Sequence, residues 1–376
     1  MRDEAVAVFI ECADSSSLPL CARRSAAQLP NMIAVVTGSS GFIGSHLVDA
    51  LLARGATVRA LVRRESRTKG RDSRVACFTA DLLDDRSVRE CLVWNGATHV
   101  FHVGGVTKRR TLAEFRDGNV VPTANILAAL AARAEPVRRV VLVSSQAAAG
   151  PAESAERPVR EDDPPRPVEA YGQSKVEAEQ ATRRYASTLP ITIVRPAAVY
   201  GPRDTDFLNV FKQATNRIAV YAAPRDQLMS IVHVRDLVNA ILLAADAPVA
   251  KGRTYFVGSD APVSWGDLYA AIAILSGTRS RELQLPAPVL GLAGRAGSAF
   301  SLLTGRAVLL NANKVALAGP KWWVCDSSRI RDELGWTAQT SVQTGLRETY
   351  LWYQREGWLR RKTTDTAIAE TPEERV

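Results

Sequence analysis

The sequence predicts an α/β fold, a doubly wound parallel sheet followed by a smaller mixed α/β unit, and three observations carry this expectation. Short apolar runs alternate with helical patterns five times between residues 33 and 143, a rhythm that builds parallel strands covered by helices on both faces. The first run meets three glycines spaced by three, Gly38, Gly41 and Gly44, just where a periodic apolar pattern begins at Phe42, Ile43, Leu47, Leu51 and Leu52. From about residue 203 the alternation loses its regularity, which marks a second unit. The expected organisation is a flexible extension over 1–30, a dinucleotide-binding domain over 31–202, a mainly substrate-binding domain over 203–362 with segments returning to the first, and a flexible tail over 363–376.

Each element follows from its local pattern. Ile33–Val36 reads as a strand, the glycines as a tight turn, and Phe42 to about Arg54 as a helix. Backbone lacking side chains can approach a phosphate there, and free N–H groups at the helix start can hold it, so Gly38, Ser40, Gly41, Phe42, Ile43 and Gly44 form a candidate pyrophosphate cradle. Thr57–Val62 is the second strand, followed by Arg63, Arg64 and Arg67. In a dinucleotide fold an acid here would bond the ribose hydroxyls of NAD, whereas an arginine pairs with the extra phosphate of NADP. With Val62 at the acid's position and Arg63 next to it, the reading favours NADP(H) and leaves NAD(H) as the alternative.

The third strand, Val75–Ala80, ends in Asp81-Leu82, where the acid can accept from an adenine amino group and the leucine can pack on the ring. The fourth, His99–Val103, leads into Gly104-Gly105, so that Val103 and Gly104 pass close to a cofactor; His102 reads as a satisfied core group. Asn119–Ala134 is helical, and the fifth strand, Val137–Val143, ends in Ser144-Ser145-Gln146. The Pro-, Glu- and Arg-rich stretch 149–168 is a surface loop. The helical pattern after Glu169 sets Tyr171 and Lys175 four apart on one face. A phenol titrates near pH 10, and the lysine charge favours the tyrosinate. Ser145 can donate to a substrate oxygen, so Ser145, Tyr171 and Lys175 suit exchange of hydride and proton at a secondary alcohol or ketone. Ile191–Val194 is a sixth strand, before Arg195-Pro196 and Tyr200-Gly201-Pro202.

Composition narrows the classes. The 376 residues are 46% apolar and 23% charged, with 48 Lys plus Arg against 39 Asp plus Glu. No basic block interleaves with aromatics, so nucleic acid is not the expected partner. Five cysteines without a CxxC pair, and four histidines without ligand spacing, point to reduced thiols, a cytoplasmic setting and no metal. The stretch 286–319 is apolar but interrupted by Gly, Arg and Asn. It is expected to line a greasy cavity or to rest on a membrane surface, a contact with no further support in the sequence.

The motifs together resemble an extended short-chain dehydrogenase/reductase of the NAD(P)-dependent epimerase/dehydratase superfamily, with a 3β-hydroxysteroid-dehydrogenase-like cast. Thr37 to Gly44, Asp81-Leu82, Ser144-Ser145, Tyr171 to Lys175, Arg195 to Pro202, His233 to Asp236 and Asp326 to Trp336 carry the resemblance over about residues 31–360. It implies a Rossmann-type sheet, a Ser145/Tyr171/Lys175 triad, pyrophosphate at the glycine turn, adenine at Asp81, and the nicotinamide side at Pro196 to Val199. Family members are often homodimers. The family's paired alanines after the fourth strand are Gly104-Gly105 here. Sugar-nucleotide dehydratases carry Thr-Asp-Glu where this chain has Ser145-Gln146-Ala147, which removes the acids that elimination needs. The leading expectation is therefore an NADP(H)-dependent oxidoreductase interconverting an alcohol and a ketone on a fairly hydrophobic small molecule. The alternatives are an NAD-dependent sugar-nucleotide epimerase, with Arg203 as a candidate phosphate contact, and a non-catalytic dinucleotide-binding scaffold or sensor.

Overall fold

The computed structural model describes residues 32–359 apart from 64–71, 217, 222, 260, 279 and 305–311. The readings made for 1–30, for 363–376 and for Arg64 and Arg67 lie outside the described residues.

Seven parallel strands form the central sheet: β1 (Ile33–Thr37), β2 (Thr57–Val62), β3 (Ala76–Thr79), β4 (His99–His102), β5 (Arg139–Val143), β6 (Ile191–Pro196) and β11 (Thr254–Val257). Their order is β3-β2-β1-β4-β5-β6-β11. β1, β4, β5 and β6 are almost wholly buried, and the Val-, Ile- and Leu-rich runs of β1, β5 and β6 are what a strand covered on both faces requires. The chain reverses direction across the sheet between β1 and β4, and such a point opens a crevice at the carboxyl ends of the strands. β11 lies some 50 residues into the irregular stretch, yet it pairs in register with β6, Tyr255 against Val194.

Helices cover both faces. α1 (Phe42–Ala53) follows β1; α2 (Asp85–Arg89) leads toward β4; α3 (Leu112–Ala131) precedes β5; α4 (Gln146–Ala149) and α5 (Ala170–Arg183) lie between β5 and β6. Trp94, Val100, Ile126, Leu127 and Val140 anchor one core, while Leu47, Leu51, Val36, Phe101 and Val141 anchor the other. α3 begins at Leu112 behind a Thr111 cap, seven residues before the helix start that the sequence suggests, and carries Pro122 in its interior. Its first turns hold Arg, Asp, Gly and Asn, so their apolar periodicity is weak and the cap is the better signal.

The remaining elements are short. β7 (Ala198–Tyr200) pairs with β10 (Ile231–His233), and α7 (Val234–Asp246) follows directly. α6 (Phe207–Ala214), β8 (Ile218–Tyr221), β9 (Leu228–Met229), β12 (Val263–Ser264) and α8 (Trp265–Leu275) gather around Phe211, Tyr221, Tyr269 and Ile272. Then come β13 (Arg281–Gln284), parallel to β8, and α9 (Ala287–Thr304), α10 (Ala312–Ala318), β14 (Trp322–Trp323), α11 (Ser328–Leu334) and α12 (Val342–Arg355). α12 closes this core with Leu346, Tyr350 and Tyr353. No described helix is long and apolar enough to cross a membrane.

Candidate active site

Tight backbone contact builds the glycine turn. Gly38 has φ of +69°, a region that favours glycine, and its oxygen accepts from Gly41 N at 2.9 Å. A Cβ on Gly44 would lie 2.1 Å from that oxygen, and one on Gly38 would lie 2.7 Å from the Gly104 backbone. The three-residue glycine spacing therefore lets α1 close onto the turn and lets the turn touch the segment after β4. Thr37 ties the two together, its Oγ1 accepting from Gly104 N at 3.0 Å. Ser39 Oγ is buried without a hydrogen-bond partner among the described residues, a donor suited to a phosphate oxygen. Ser40 and Gly41 are exposed, and Phe42 and Ile43 half-buried. A dinucleotide fits these residues: the helix start and turn would hold its pyrophosphate.

At the β3 end Asp81 is exposed, with Oδ1 accepting from Leu83 N at 3.0 Å, while Leu82 is half-buried. Arg63 is exposed immediately beyond β2. Val103 and Gly104 are half-buried beyond β4; Pro196 is buried at the end of β6 and Val199 half-buried in β7. All of these stand at the carboxyl edge of the strands, the side of the sheet where the crevice opens.

Glu169 starts the helix that carries the reactive pair. Its carboxylate accepts from Tyr171 N and Gly172 N, both at 2.6 Å, satisfying two of the orphan donors of the first turn. Gly172 has no room for a side chain, since a Cβ would sit 2.4 Å from Ala147 O. α5 thus docks against the turn after β5, which brings Tyr171 into hydrogen-bonding contact with Ser145. Burial of the hydroxyl pushes Tyr171 up to about 12, and the bond from Ser145 pulls it part of the way back. Lys175 Nζ donates to Val143 O at 3.1 Å and lies 5.8 Å from the Tyr171 ring centre. Burial lowers Lys175 to about 8, opposed by the nearby Glu179 carboxylate.

Several contributing residues gave no clear signal in the sequence. Asn119 of α3 donates through Nδ2 to Ser174 Oγ at 2.8 Å, and its Oδ1 accepts from Val106 N at 2.7 Å. A Cβ on Gly105 would approach Asn119 Oδ1 to 2.9 Å and Lys175 Nζ to 3.3 Å. Glycine at this position, where the family pattern has alanine, thus makes room for the asparagine. His102 is buried between two hydroxyls, Nδ1 at 2.7 Å from Thr37 Oγ1 and Nε2 at 2.9 Å from Thr123 Oγ1. Burial and the Lys175 charge lower it to about 3, so it is a neutral core group.

A family model described as the NAD dependent epimerase/dehydratase family matches residues 34–258, from β1 through β11. The chain belongs to that family. A ceramide reductase of Caulobacter vibrioides is 31% identical over 335 residues, spanning 87% of this chain and 96% of its own. A farnesyl-dihydroquinoline-oxide ketoreductase of Stigmatella aurantiaca is 30% identical over 326 residues, spanning 83% and 93%. Among solved structures, MoeE5 in complex with UDP-glucose and NAD superposes with a TM-score of 0.69 at 25% identity, covering 86% of this chain and 99% of its own. Membership, the α/β sheet and a Ser/Tyr/Lys arrangement make this chain an NAD(P)-dependent oxidoreductase-type enzyme.

The cofactor expectation is corrected by the same comparison. MoeE5 holds NAD, and the sequence case for NADP(H) rested on Arg63. Arg63 lies exposed at the surface, where an arginine is equally at home as a solvated group, so its charge alone does not select a 2′-phosphate. Val62, at the position where an acid was sought, is a buried residue of the sheet.

Proposed function

We propose that this chain is an NAD-linked epimerase that inverts a carbinol centre on a sugar-nucleotide-like substrate. The observation that carries the reading is the joint placement of Ser145, Tyr171 and Lys175 beside the glycine turn, in a chain similar along most of its length to a protein holding UDP-glucose and NAD. Bound NAD supplies the hydride acceptor and, in its oxidised state, a positive charge. With NAD bound, Tyr171 as tyrosinate would take the hydroxyl proton as the carbinol carbon gives up hydride, leaving a ketone. Ser145 donates to the substrate oxygen and holds it in line. The Ser145 hydrogen bond opposes the burial that raises the Tyr171 pKa, and Lys175, when charged, would favour the tyrosinate further. Turning the ketone over and reversing both transfers gives the epimer with no net redox change.

A second reading, net reduction of a lipid-like ketone, is favoured by the names of the two curated relatives. It also draws on Arg203, the candidate phosphate contact, which donates instead to Asp49 Oδ2 at 2.7 Å. The two readings share every residue above and differ in what becomes of the cofactor. The test is mass spectrometry of small molecules released on denaturing the purified protein, followed by incubation with UDP-glucose or with a long-chain ketone plus NADH. Retained NAD and interconverted UDP-hexoses support the epimerase. An empty protein that consumes NADH only with the ketone overturns it in favour of the reductase.

A further inference from the structure

We infer that Asp206 is a positioning residue for Tyr171 and Lys108 its counter-ion, an inference that rests on the proton role proposed for Tyr171. Asp206 stands at the cap position of α6, where an aspartate ordinarily accepts from the first free N–H groups of its helix. It makes no such bond. Asp204 does so instead, its carboxylate accepting from Asp206 N at 2.9 Å and from Phe207 N at 3.0 Å. The Asp206 carboxylate is left to meet Lys108 Nζ, 98 residues earlier in the chain. The contact joins the segment after β7 to the segment after β4.

Both segments are held in place. Tyr353 of α12 donates to Asp204 O at 2.6 Å, and Arg203, with φ of +71°, sets the turn that leads to Asp206. On the other side, the Asn119 side chain binds both Val106 N and Val106 O, at 2.7 and 3.1 Å, and Arg110 N donates to Glu114 at 2.9 Å. Lys108 sits between these two anchors. The same segment borders the reactive pair. A Cβ on Gly105 would come within 3.3 Å of Lys175 Nζ, and Thr111 caps the helix whose Phe115 ring centre lies 6.0 Å from that of Tyr171.

Among the described residues, the carboxylates whose charge opposes ionisation of Tyr171 are Glu169, at the start of its own helix, and Asp206. Lys175 lies a turn along that helix, Ser145 bonds the hydroxyl from the turn after β5, and α3 presents the uncharged Phe115 ring. Glu169 is engaged by the N–H groups of Tyr171 and Gly172, whereas Asp206 has Lys108 set against it. A phenol ionises less readily beside a carboxylate and more readily beside an ammonium. The pairing therefore keeps Asp206 from working against the tyrosinate. Both partners are about half exposed, and such a pair adds little stability; its consequence is the charge it presents to Tyr171.

The experiment is a fluorine magnetic-resonance pH titration of the full chain labelled with meta-fluorotyrosine, whose phenol ionises at lower pH than that of tyrosine. The Tyr171 signal is assigned by its loss in Tyr171→Phe, and circular dichroism with thermal melting checks that the surface variants stay folded. Asp206→Asn should move the Tyr171 midpoint down and Lys108→Met should move it up, each by about half a pH unit, and the double variant should return near the wild-type midpoint. Salt at about 1 M should shrink both shifts. The acid limb of the turnover profile should move in the same order, about threefold in rate at a fixed pH on that limb. Midpoints that stay put, or that move the same way in both single variants, overturn the proposal with the role of Tyr171 intact. An equal loss of turnover at every pH with unmoved midpoints marks a merely structural contact and overturns it too. Turnover surviving in Tyr171→Phe overturns it by a different route, since the titration needs no substrate and that result removes the proton role itself.

Discussion

Removing either partner of the buried Glu179–Arg195 pair should destabilise the protein, and unequally. Arg195 donates to Glu179 through Nε at 2.9 Å and through a terminal nitrogen at 2.7 Å, with side chains only 3% and 1% exposed. Ser144 donates to the same carboxylate at 2.6 Å, and Arg183 reaches it at 2.9 Å from a half-exposed position. Burial pushes Glu179 up, but the bonds and charge of Arg195, together with Ser144 and Arg183, more than reverse this, leaving the carboxyl below its ordinary value. Breaking a buried pair by removing one partner costs about 3–5 kcal/mol, because an uncompensated charge stays inside. Glu179→Met strands Arg195, whose other described contacts are the Phe256 ring at 5.4 Å and Glu161 O at 3.5 Å. It should therefore fall at the upper end of that range. Arg195→Met leaves Glu179 with Arg183 and Ser144, and should fall at the lower end. The double variant removes both charges and should cost less than the sum of the singles by about 2 kcal/mol or more. Urea denaturation of the four proteins measures the cycle. Additive losses, or a greater loss from Arg195→Met, would refute the reasoning.

Tyr171→Phe removes the hydroxyl that exchanges the proton and should lower turnover by about 10²–10⁴, with NAD affinity by fluorescence titration unchanged; surviving turnover removes Tyr171 from its role. Gly44→Ala forces a methyl to within 2.1 Å of Gly38 O, so dinucleotide binding should be lost or the turn displaced, and calorimetric titration giving wild-type affinity would contradict the cradle. Asp204 is 5% exposed, and burial raises its carboxyl to about 6 from 3.8, against the bonds it accepts from Asp206 N and Phe207 N. The folded state thus binds the proton more tightly, so this group's contribution to stability is present below about pH 4 and is lost as the pH rises through about 6. The stability difference between wild type and Asp204→Asn should change over that interval by on the order of 3 kcal/mol, measured by urea denaturation at several pH values, and a pH-independent difference would dismiss the effect.

The sheet was legible because its determinants are local. β2 runs from Thr57 to Val62 as its β-branched pattern predicts. Ser145, Tyr171 and Lys175 were legible for a related reason. Tyr171 and Lys175 share a helix face, and Ser145 stands at a strand end, so period and order place them without knowledge of long-range contacts. Asn119 was not. Its partners Val106 and Ser174 lie 13 and 55 residues away, and nothing in the run of α3 separates a buried amide from a solvated one. The Arg195–Glu179 pair escaped likewise, because each residue reads locally as an ordinary surface charge and only the crossing of α5 over β6 buries both.

The cofactor expectation failed for the converse reason. A lone charge after β2 is a local feature, but its meaning depends on whether the chain folds a 2′-phosphate pocket around it, and Arg63 is exposed at the surface. The same logic separates the two functional readings. Both readings assign hydride and proton exchange to the Ser145, Tyr171 and Lys175 arrangement, so no inspection of the triad distinguishes them. What differs is cofactor retention and the surface that receives the substrate, which the sequence leads one to expect in the unit beyond residue 203. There the sequence rhythm weakens and the elements shorten to the two residues of β9, β12 and β14. Substrate class is therefore left to tertiary contacts that no local motif of the catalytic half records.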